Sequence, residues 1–394
     1  MTGGLQMGFN AWRRRSLGAC TSLLALGLLG AAPAWAAPAK QVEIVKRLKP
    51  GKAPAVKDQT AYLLVYFKDE THSLHFAVSS DGYSFTDVND GAPVLEGRDV
   101  AEQKGLRDPH IARGPDGAFY LAMTDLHIFA QEKGLRSDKW ERPEKGYGWG
   151  NNRGLILMKS YDLVHWTHAI ARIDKLFPQM GDIGCAWAPE TIYDPERKAM
   201  MVYFTTRVGA GRNYLVYAYA DDAFTTLTAE PRPLLAHPDP NQSLIDGDIT
   251  KVGDTYHLFA VGYDKPAGIR HATSKSLTGG YVYEPGKIDP EAVAAEAPTL
   301  WRRTGTDTYV LMYDVFGAKP NNMGFSETTD FVHYRNLGRF NDPGSPMKAT
   351  NFQSPKHGAV IPVTPAEVAR LKAWFSGTPL SVREGGARAG GVGG

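Results

Sequence analysis

The sequence predicts an all-β fold: a five-bladed β-propeller closed by strands from both ends of the chain and followed by a short helix. Three observations predict it. Four segments share one design, a carboxylate, a β-rich run, a turn and a second apolar run, beginning at Asp108 (DPHIARGPDGAFYLAMT), Glu190 (ETIYDPERKAMMVYFT), Asp246 (DGDITKVGDTYHLFAV) and Glu296 (EAPTLWRRTGTDTYVLMY). Five polar turn segments, SSDGYSF, SYDLVHW, DDAFTTL, SKSLTGGY and TTDFVHY, start at 79, 160, 221, 274 and 328. Spacings near 50 residues between short-strand units are those of propeller blades. Third, the chain carries three strand-like runs before its first complete repeat and one, HGAVIPV at 357–363, after its last.

Each repeat reads in order. The carboxylate opens an inner strand. Turns follow at 114–117 (GPDG), 194–197 (DPER) and 252–255 (VGDT), where Gly, Pro and Asp supply turn conformations. Second strands are expected at 119–124, 200–205, 256–261 and 309–313, and third strands at 155–160, 214–220, 269–274 and 323–326. Fourth strands should begin near the aromatic residue of each turn segment. The runs are rich in Val, Ile, Tyr and Phe and bounded by Gly, Pro, Asn and Asp, which favours strands over helices. The extra length between the first two turn segments falls in a loop at 126–153.

The N-terminal part supplies second, third and fourth strands at 61–67, 74–79 and 84–88 but no inner strand. The run at 357–363 can provide it, leaving no unpaired seam in the ring. Residues 364–375 read as a closing helix, with Thr364 as N-cap, Pro365 at the first helical position and Glu367 completing a capping box.

Length and composition bound the rest. A chain of 394 residues, 43% hydrophobic and 22% charged, can bury a large core, and large all-β folds often form one unit. Residues 1–36 read as a signal peptide: Arg13, Arg14 and Arg15, an apolar run from 17 to 29, and the Ala34-Trp35-Ala36 cleavage pattern. The stretch RRRSLG faintly resembles a twin-arginine signal, against the commoner general secretory route. Residues 37–58, rich in Pro, Ala and Lys, suit a linker or surface arm. The propeller should occupy 59–375, and 376–394 should be a flexible Gly-rich tail.

Removing the signal peptide takes the formal charge from +2 to −1, which offers no electrostatic case for nucleic acid. It also leaves no apolar segment long enough to span a membrane. Export to the periplasm or outside the cell is the expected location. One cysteine, Cys185, remains in that mature chain, so neither an internal disulfide nor a zinc cluster is expected.

Repeats stacked around an axis aim their opening carboxylates at one point. Converging acids are the equipment for hydrolysing a sugar acetal. The elements LRDPHI with FYLAMTDL, SYDLVHW, CAWAPE, IDGDI, EAPTL and KHGAVIPV resemble, in this order over roughly 60–375, glycoside hydrolase family 43. That resemblance implies a five-bladed propeller with a central pocket and inverting hydrolysis of furanosides or pyranosides. It implies Asp108 as general base, Asp246 as the orienting, pKa-modulating carboxylate and Glu296 as general acid. Asp248 competes with Asp246, because the motif after Ile245 reads Asp-Gly-Asp. The acid motif carries Ala297 where Gly is frequent in the family.

An inverting glycosidase needs one carboxyl protonated and the other ionised, about 6.5–9.5 Å apart to admit a water. Glu296 would be kept protonated by burial or by a nearby anion, Asp246 being the obvious one. A cation such as Arg107 would keep Asp108 ionised. Glu190 should face the same channel, suited to a substrate hydroxyl or to a structural hydrogen bond. Trp187 suits a sugar platform or the core. His110 and His127 read as polar fillers or substrate contacts. His357 opens the fifth inner strand, where some members of the resembling family place a histidine beside a calcium or water cluster. No metal or other cofactor is expected in catalysis, with a structural channel calcium left open.

The leading expectation is an exo-acting glycosidase releasing arabinofuranose or galactofuranose from an oligo- or polysaccharide. Two others compete. Retaining fructan hydrolases also use an RDP motif, but the N-D-P nucleophile motif they carry upstream is not seen before Asp108, nor is an E-C acid motif. A non-catalytic glycan-binding propeller would not need all three acids.

Overall fold

The computed structural model describes residues 39–378. They form five blades, each a meander of four antiparallel strands running outward from the axis. The first blade comprises Leu106–Arg113, Phe119–Asp125, Gly154–Ser160 and His165–Arg172. The second comprises Ile183–Asp194, Ala199–Val208, Tyr214–Tyr219 and Arg232–Leu235. The third is built from Leu244–Val252, Thr255–Gly262, Gly268–Ser274 and Val282–Glu284. Glu296–Arg302, Tyr309–Val315, Asn322–Thr328 and Arg335–Arg339 make the fourth.

The fifth blade joins both ends of the chain. Lys356–Val363 is its inner strand and pairs antiparallel with Ala61–Phe67, from Ala61 opposite Val363 to Phe67 opposite Lys356. Leu74–Ser79 and Ser84–Asp87 follow outward. Gly358 in the seam shows how close this pairing is: a Cβ there would lie 2.1 Å from the Val65 carbonyl oxygen.

The apolar side chains fall into five clusters, one at each junction between neighbouring blades. Phe76 and Leu63 meet Ile111 and Trp166 between the fifth and first blades. Leu157 and Ala122 meet Val202 and Phe204 between the first and second. Equivalent clusters fill the remaining three junctions. Blades therefore bury both faces, which is why strands such as Ala61–Phe67 read as continuous apolar runs rather than alternating ones. Each fully buried Leu, Ile or Phe contributes about 1.5–3 kcal/mol.

The shared turn segments have a common cause. In three of them a Ser or Thr hydroxyl and an Asp carboxylate take the turn's backbone N–H groups: Ser79 with Asp81, Ser160 with Asp162, and Thr328 with Asp330. The residue after each Asp is left-handed, at Gly82, Leu163 and Phe331. The turn at 221–227 departs from the expectation. Phe224 packs inward and the fourth strand starts only at Arg232. Pro231 and Pro233 flank its start, and a proline is tolerated on such an outer edge strand because no ladder donor is needed there.

The closing helix spans Pro365–Ser376, and its capping box forms as the sequence predicts. Arg113, from the first inner strand, grips Glu367 with both guanidinium nitrogens at 3.0 and 2.7 Å. The N-terminal arm adds Glu43–Ile44 in parallel to the edge of the first blade, and the Trp374 indole donates to the Gln41 carbonyl. The expected signal peptide (1–36) and residues 379–394 of the expected tail lie outside the described residues. Among the described residues, no helix is long and apolar enough to cross a membrane.

Candidate active site

Four inner strands carry the same irregularity. Asp108, Ala188, Asp246 and Ala297 each have φ between 44° and 55°, and each precedes Pro109, Pro189, Gly247 or Pro298. At each point the register to the second strand slips, a β-bulge that bends the strand and re-aims its side chains. Left-handed backbone is tolerable for Asp and strained for Ala.

The bulge corrects the expectation that the four opening carboxylates are equivalent. Aligned on it, Asp108 and Asp246 sit at the bulge, Glu296 stands one residue before it, and Glu190 two residues after. Glu190 is thus the counterpart of His110, Asp248 and Thr299, while Arg107, Trp187 and Ile245 are the counterparts of Glu296.

Neighbouring blades are tied through these bulges in a tier of hydrogen bonds around the axis. Thr124 Oγ1 donates to Asp108 Oδ2 at 2.7 Å and accepts from the Ala188 N–H at 2.8 Å. Thr205 Oγ1 accepts from the Asp246 N–H, and Asp246 Oδ2 accepts from the Ala297 N–H at 3.2 Å. A second tier lies further along the strands. There the Thr191 N–H donates to His110 Nδ1, the Ile249 N–H to the Tyr203 hydroxyl, and the Leu300 N–H to Asp248 Oδ2.

A cavity of about 270 Å³ opens over the first tier, lined by Arg107, Asp108, Trp187, Asp246, Glu296 and His357, with Trp149 and Tyr263 on its wall. Asp108, Asp246, Glu296, Arg107 and Trp187 thus all reach the cavity. Glu190 and Asp248 are not on its lining, which departs from the expectation of Glu190 and Asp248 as substrate-binding residues and of Asp248 as a rival to Asp246. They are buried in the second tier, where Tyr203 donates to Glu190 Oε2 at 3.1 Å and His110 Nε2 lies 3.7 Å from Glu190 and 3.9 Å from Asp248.

The electrostatics separate the carboxyl groups. Burial alone would raise Asp108, but the hydrogen bond and charge of His357, then Arg107 and Thr124, hold it well below the usual carboxylate range. His357 Nδ1 is 3.3 Å from Asp108 Oδ1, while Arg107 Nε is 3.9 Å away. The principal cation is therefore His357 rather than the expected Arg107. Burial, then the charge of Asp314, pushes Glu296 up to about 8 against the opposing pull of Lys356, with Asp246 adding a smaller push. The stronger anion beside Glu296 is thus Asp314, not the expected Asp246. Burial likewise raises Asp246 to about 6, opposed by His357 and aided by Asp108.

Arg107 is held from behind. It donates to Asp69 Oδ1 and to His72 Nε2, both at 3.2 Å, and His72 Nδ1 in turn meets the Asp69 carbonyl. His127, expected as a filler or substrate contact, stacks on His72 with ring centroids 3.9 Å apart. The loop at 126–153 forms one cavity wall and is pinned by Arg207. The Arg207 guanidinium lies over the Trp187 ring and donates to the carbonyls of Tyr147 and Trp149.

His110, Glu190 and Asp248 offer ligand atoms all within 4.8 Å of one another. Two carboxylates and an imidazole are a poor match to calcium, which takes six to eight oxygen ligands. Burial raises Asp248 to about 7 and, with the Asp248 charge, pushes Glu190 well up. That environment suits a proton shared between the two acids.

Residues 57–369 match the model of a family related to glycosyl hydrolase family 43 and described as a probable glycosyl hydrolase domain. The chain belongs to this family. Its propeller places three acids, Asp108, Asp246 and Glu296, on one cavity. It is 22% identical over 410 residues to an alpha-L-arabinofuranosidase of Bifidobacterium longum subsp. longum, a match covering 87% of this chain. The chain spans 36% of the length of that relative. Its fold is similar to the endo-arabinase of Bacteroides thetaiotaomicron (13% identity, TM-score 0.50, 73% of this chain and 96% of that one). It is similar also to the xylan beta-1,4-xylosidase of Bacillus halodurans C-125 (15% identity, TM-score 0.50, 75% and 56%).

Proposed function

We propose that this protein is an exported, inverting, exo-acting glycosidase of carbohydrate breakdown that releases a furanose, arabinofuranose before galactofuranose, from an oligo- or polysaccharide. The observation that carries the mechanism is the opposite bias of two acids on one cavity. Asp108 is held ionised between His357, Arg107 and Thr124, while Glu296 is held protonated by burial and Asp314.

In this reading Glu296 gives its proton to the glycosidic oxygen as the C–O bond breaks and the bonding pair stays on that oxygen. A water adds to the anomeric carbon from the opposite face, and Asp108 takes its proton. Asp246 fixes the acid motif through the Ala297 N–H and favours the positive charge that develops on the sugar ring. Arg107 and Trp187 contact the sugar. The reaction calls for no metal or cofactor, and a channel cation would be structural. Preference for arabinofuranose is supported by the relative named for that activity. The pattern at 1–36 supports export.

Aryl α-L-arabinofuranoside, galactofuranoside and xylopyranoside, with the first-formed anomer followed by proton NMR, test sugar and stereochemistry together. The reading expects arabinofuranose released with inverted configuration, and retention would refute it. Glu296→Gln should lower kcat at least a hundredfold while leaving glycan affinity within a few fold, whereas a glycan-binding propeller would change in neither.

A further inference from the structure

The side chain of Lys356 is almost fully buried, 7% exposed, and its ammonium has three acidic neighbours. Asp314 Oδ2 is 3.2 Å away, Glu296 Oε1 3.8 Å and Asp69 Oδ2 3.9 Å. Asp314 is wholly buried and stands directly opposite Glu296 on the neighbouring strand. Lys356 itself opens the fifth inner strand, one residue before His357, the partner of Asp108.

A buried ammonium beside a residue that must stay protonated is a puzzle. A lone cation there would strip the proton from Glu296 before any substrate arrived. Asp314 removes the difficulty, because the Lys356–Asp314 pair is neutral overall. What remains is directional. Lys356 Nζ lies 3.8 Å from Glu296 Oε1, while a quarter of the glutamate side chain stays exposed.

We propose that Lys356, balanced by Asp314, is a positioning residue that orients Glu296 and takes up the negative charge left on it when its proton passes to the departing sugar oxygen. The inference rests on Glu296 being the general acid. In the step concerned, the Glu296 O–H bond breaks, the proton joins the glycosidic oxygen, and the glutamate becomes an anion 3.8 Å from the ammonium. The charge pattern has a counterpart on the base side. Asp69 spans from Lys356 to Arg107, which stands beside Asp108, so acid and base are linked through one carboxylate.

This role makes a prediction that a packing role does not. Leaving groups that depart as stable anions need no proton, so they should be indifferent to Lys356. The experiment compares wild type, Lys356→Met, Lys356→Arg and Glu296→Gln on aryl glycosides of the sugar the wild type hydrolyses, from dinitrophenyl to unsubstituted phenyl, and on the matching disaccharide.

Lys356→Met should lose about a hundredfold in kcat on the phenyl glycoside and the disaccharide, yet stay within about threefold on the dinitrophenyl glycoside. Lys356→Arg should recover most of the loss. The pair of changes Asp314→Asn with Lys356→Met avoids a lone buried charge, and it should retain the steep dependence on leaving group. Equal slowing on every substrate, or no slowing, in both the single and the paired variant overturns the proposal. If Glu296→Gln itself shows no dependence on leaving group, the acid assignment has failed instead, and the two failures are told apart.

Discussion

Replacing Asp314 by Asn should move the alkaline limb of the activity profile to lower pH. On the proposed mechanism Glu296 works in its protonated form, so activity should be present below its pKa of about 8 and lost as pH rises through that value. Lys356, 3.8 Å from Glu296, favours the ionised form by about 4 kcal/mol at an effective dielectric of about 20. Unopposed, that would pull the acid down by about 3 pH units. Asp314 faces Glu296 across a strand pair. With carboxylates roughly 6 Å apart its charge opposes Lys356 by about 3 kcal/mol before screening. The cavity exposes a quarter of the Glu296 side chain, which weakens both figures, so removing the charge should lower the limb by about 1–2 pH units. The assay is kcat/KM against pH on an aryl furanoside, since that ratio reports the free enzyme. A thermal melt accompanies it, because Lys356 loses its closest partner and the fold should weaken by a few kcal/mol. A limb that stays in place, or moves upward, in a variant that melts cooperatively would refute the reasoning.

Asp108→Asn should cost at least a hundredfold in kcat with a smaller change in KM, and it should leave in place an acid limb near pH 6, which belongs to Asp246, because His357 and Arg107 hold Asp108 well below that range. Gly358→Ala drives a methyl against the Val65 carbonyl in the seam of the ring, and chemical denaturation should show a loss of about 3 kcal/mol. Thr364→Ala removes the cap of the closing helix and should cost about 1 kcal/mol by the same assay. Exhaustive dialysis against EDTA should leave kcat within about twofold, and recovery of a larger loss by added calcium would show that a channel cation matters.

The propeller was legible because its signals are local and repeated. Apolar runs of strand length, Asp-centred turns and a capping box each follow from short-range chemistry, and they recur often enough to reveal a period. The missing inner strand at the N-terminus and the spare one near the C-terminus were legible by counting. The fourth strand of the second blade was misplaced because Phe224 and the prolines after it answer to blade packing rather than to the turn pattern. Asp108, Asp246 and Glu296 were found through the resemblance of their motifs. Their environment was not, since Asp314, Lys356 and His357 meet only once the fourth and fifth blades lie side by side. One signal was available: Asp314 is an acid inside the apolar run Tyr309–Val315, where a buried charge needs a reason.

The bulge explains why the acids that reach the cavity are those at or just before its left-handed residue and not every acid on an inner strand. Aligning repeats by their first carboxylate treats the strand as regular. The strands break regularity at the dipeptides Asp-Pro, Ala-Pro, Asp-Gly and Ala-Pro, so residues on either side lie at different depths. Asp108, Asp246 and Glu296 fall at or just before the break and reach the cavity. Glu190 and Asp248 fall two residues beyond Ala188 and Asp246, where they join the second tier and hold neighbouring strands together. Depth relative to the bulge thus separates acids that line the cavity from acids that tie neighbouring strands together. Moving an acid across it should move its role as well. Glu190→Gln should therefore lower the melting temperature through the Tyr203 and His110 contacts while leaving kcat within a few fold, and a selective collapse of kcat with an unchanged melt would place Glu190 back in the reaction.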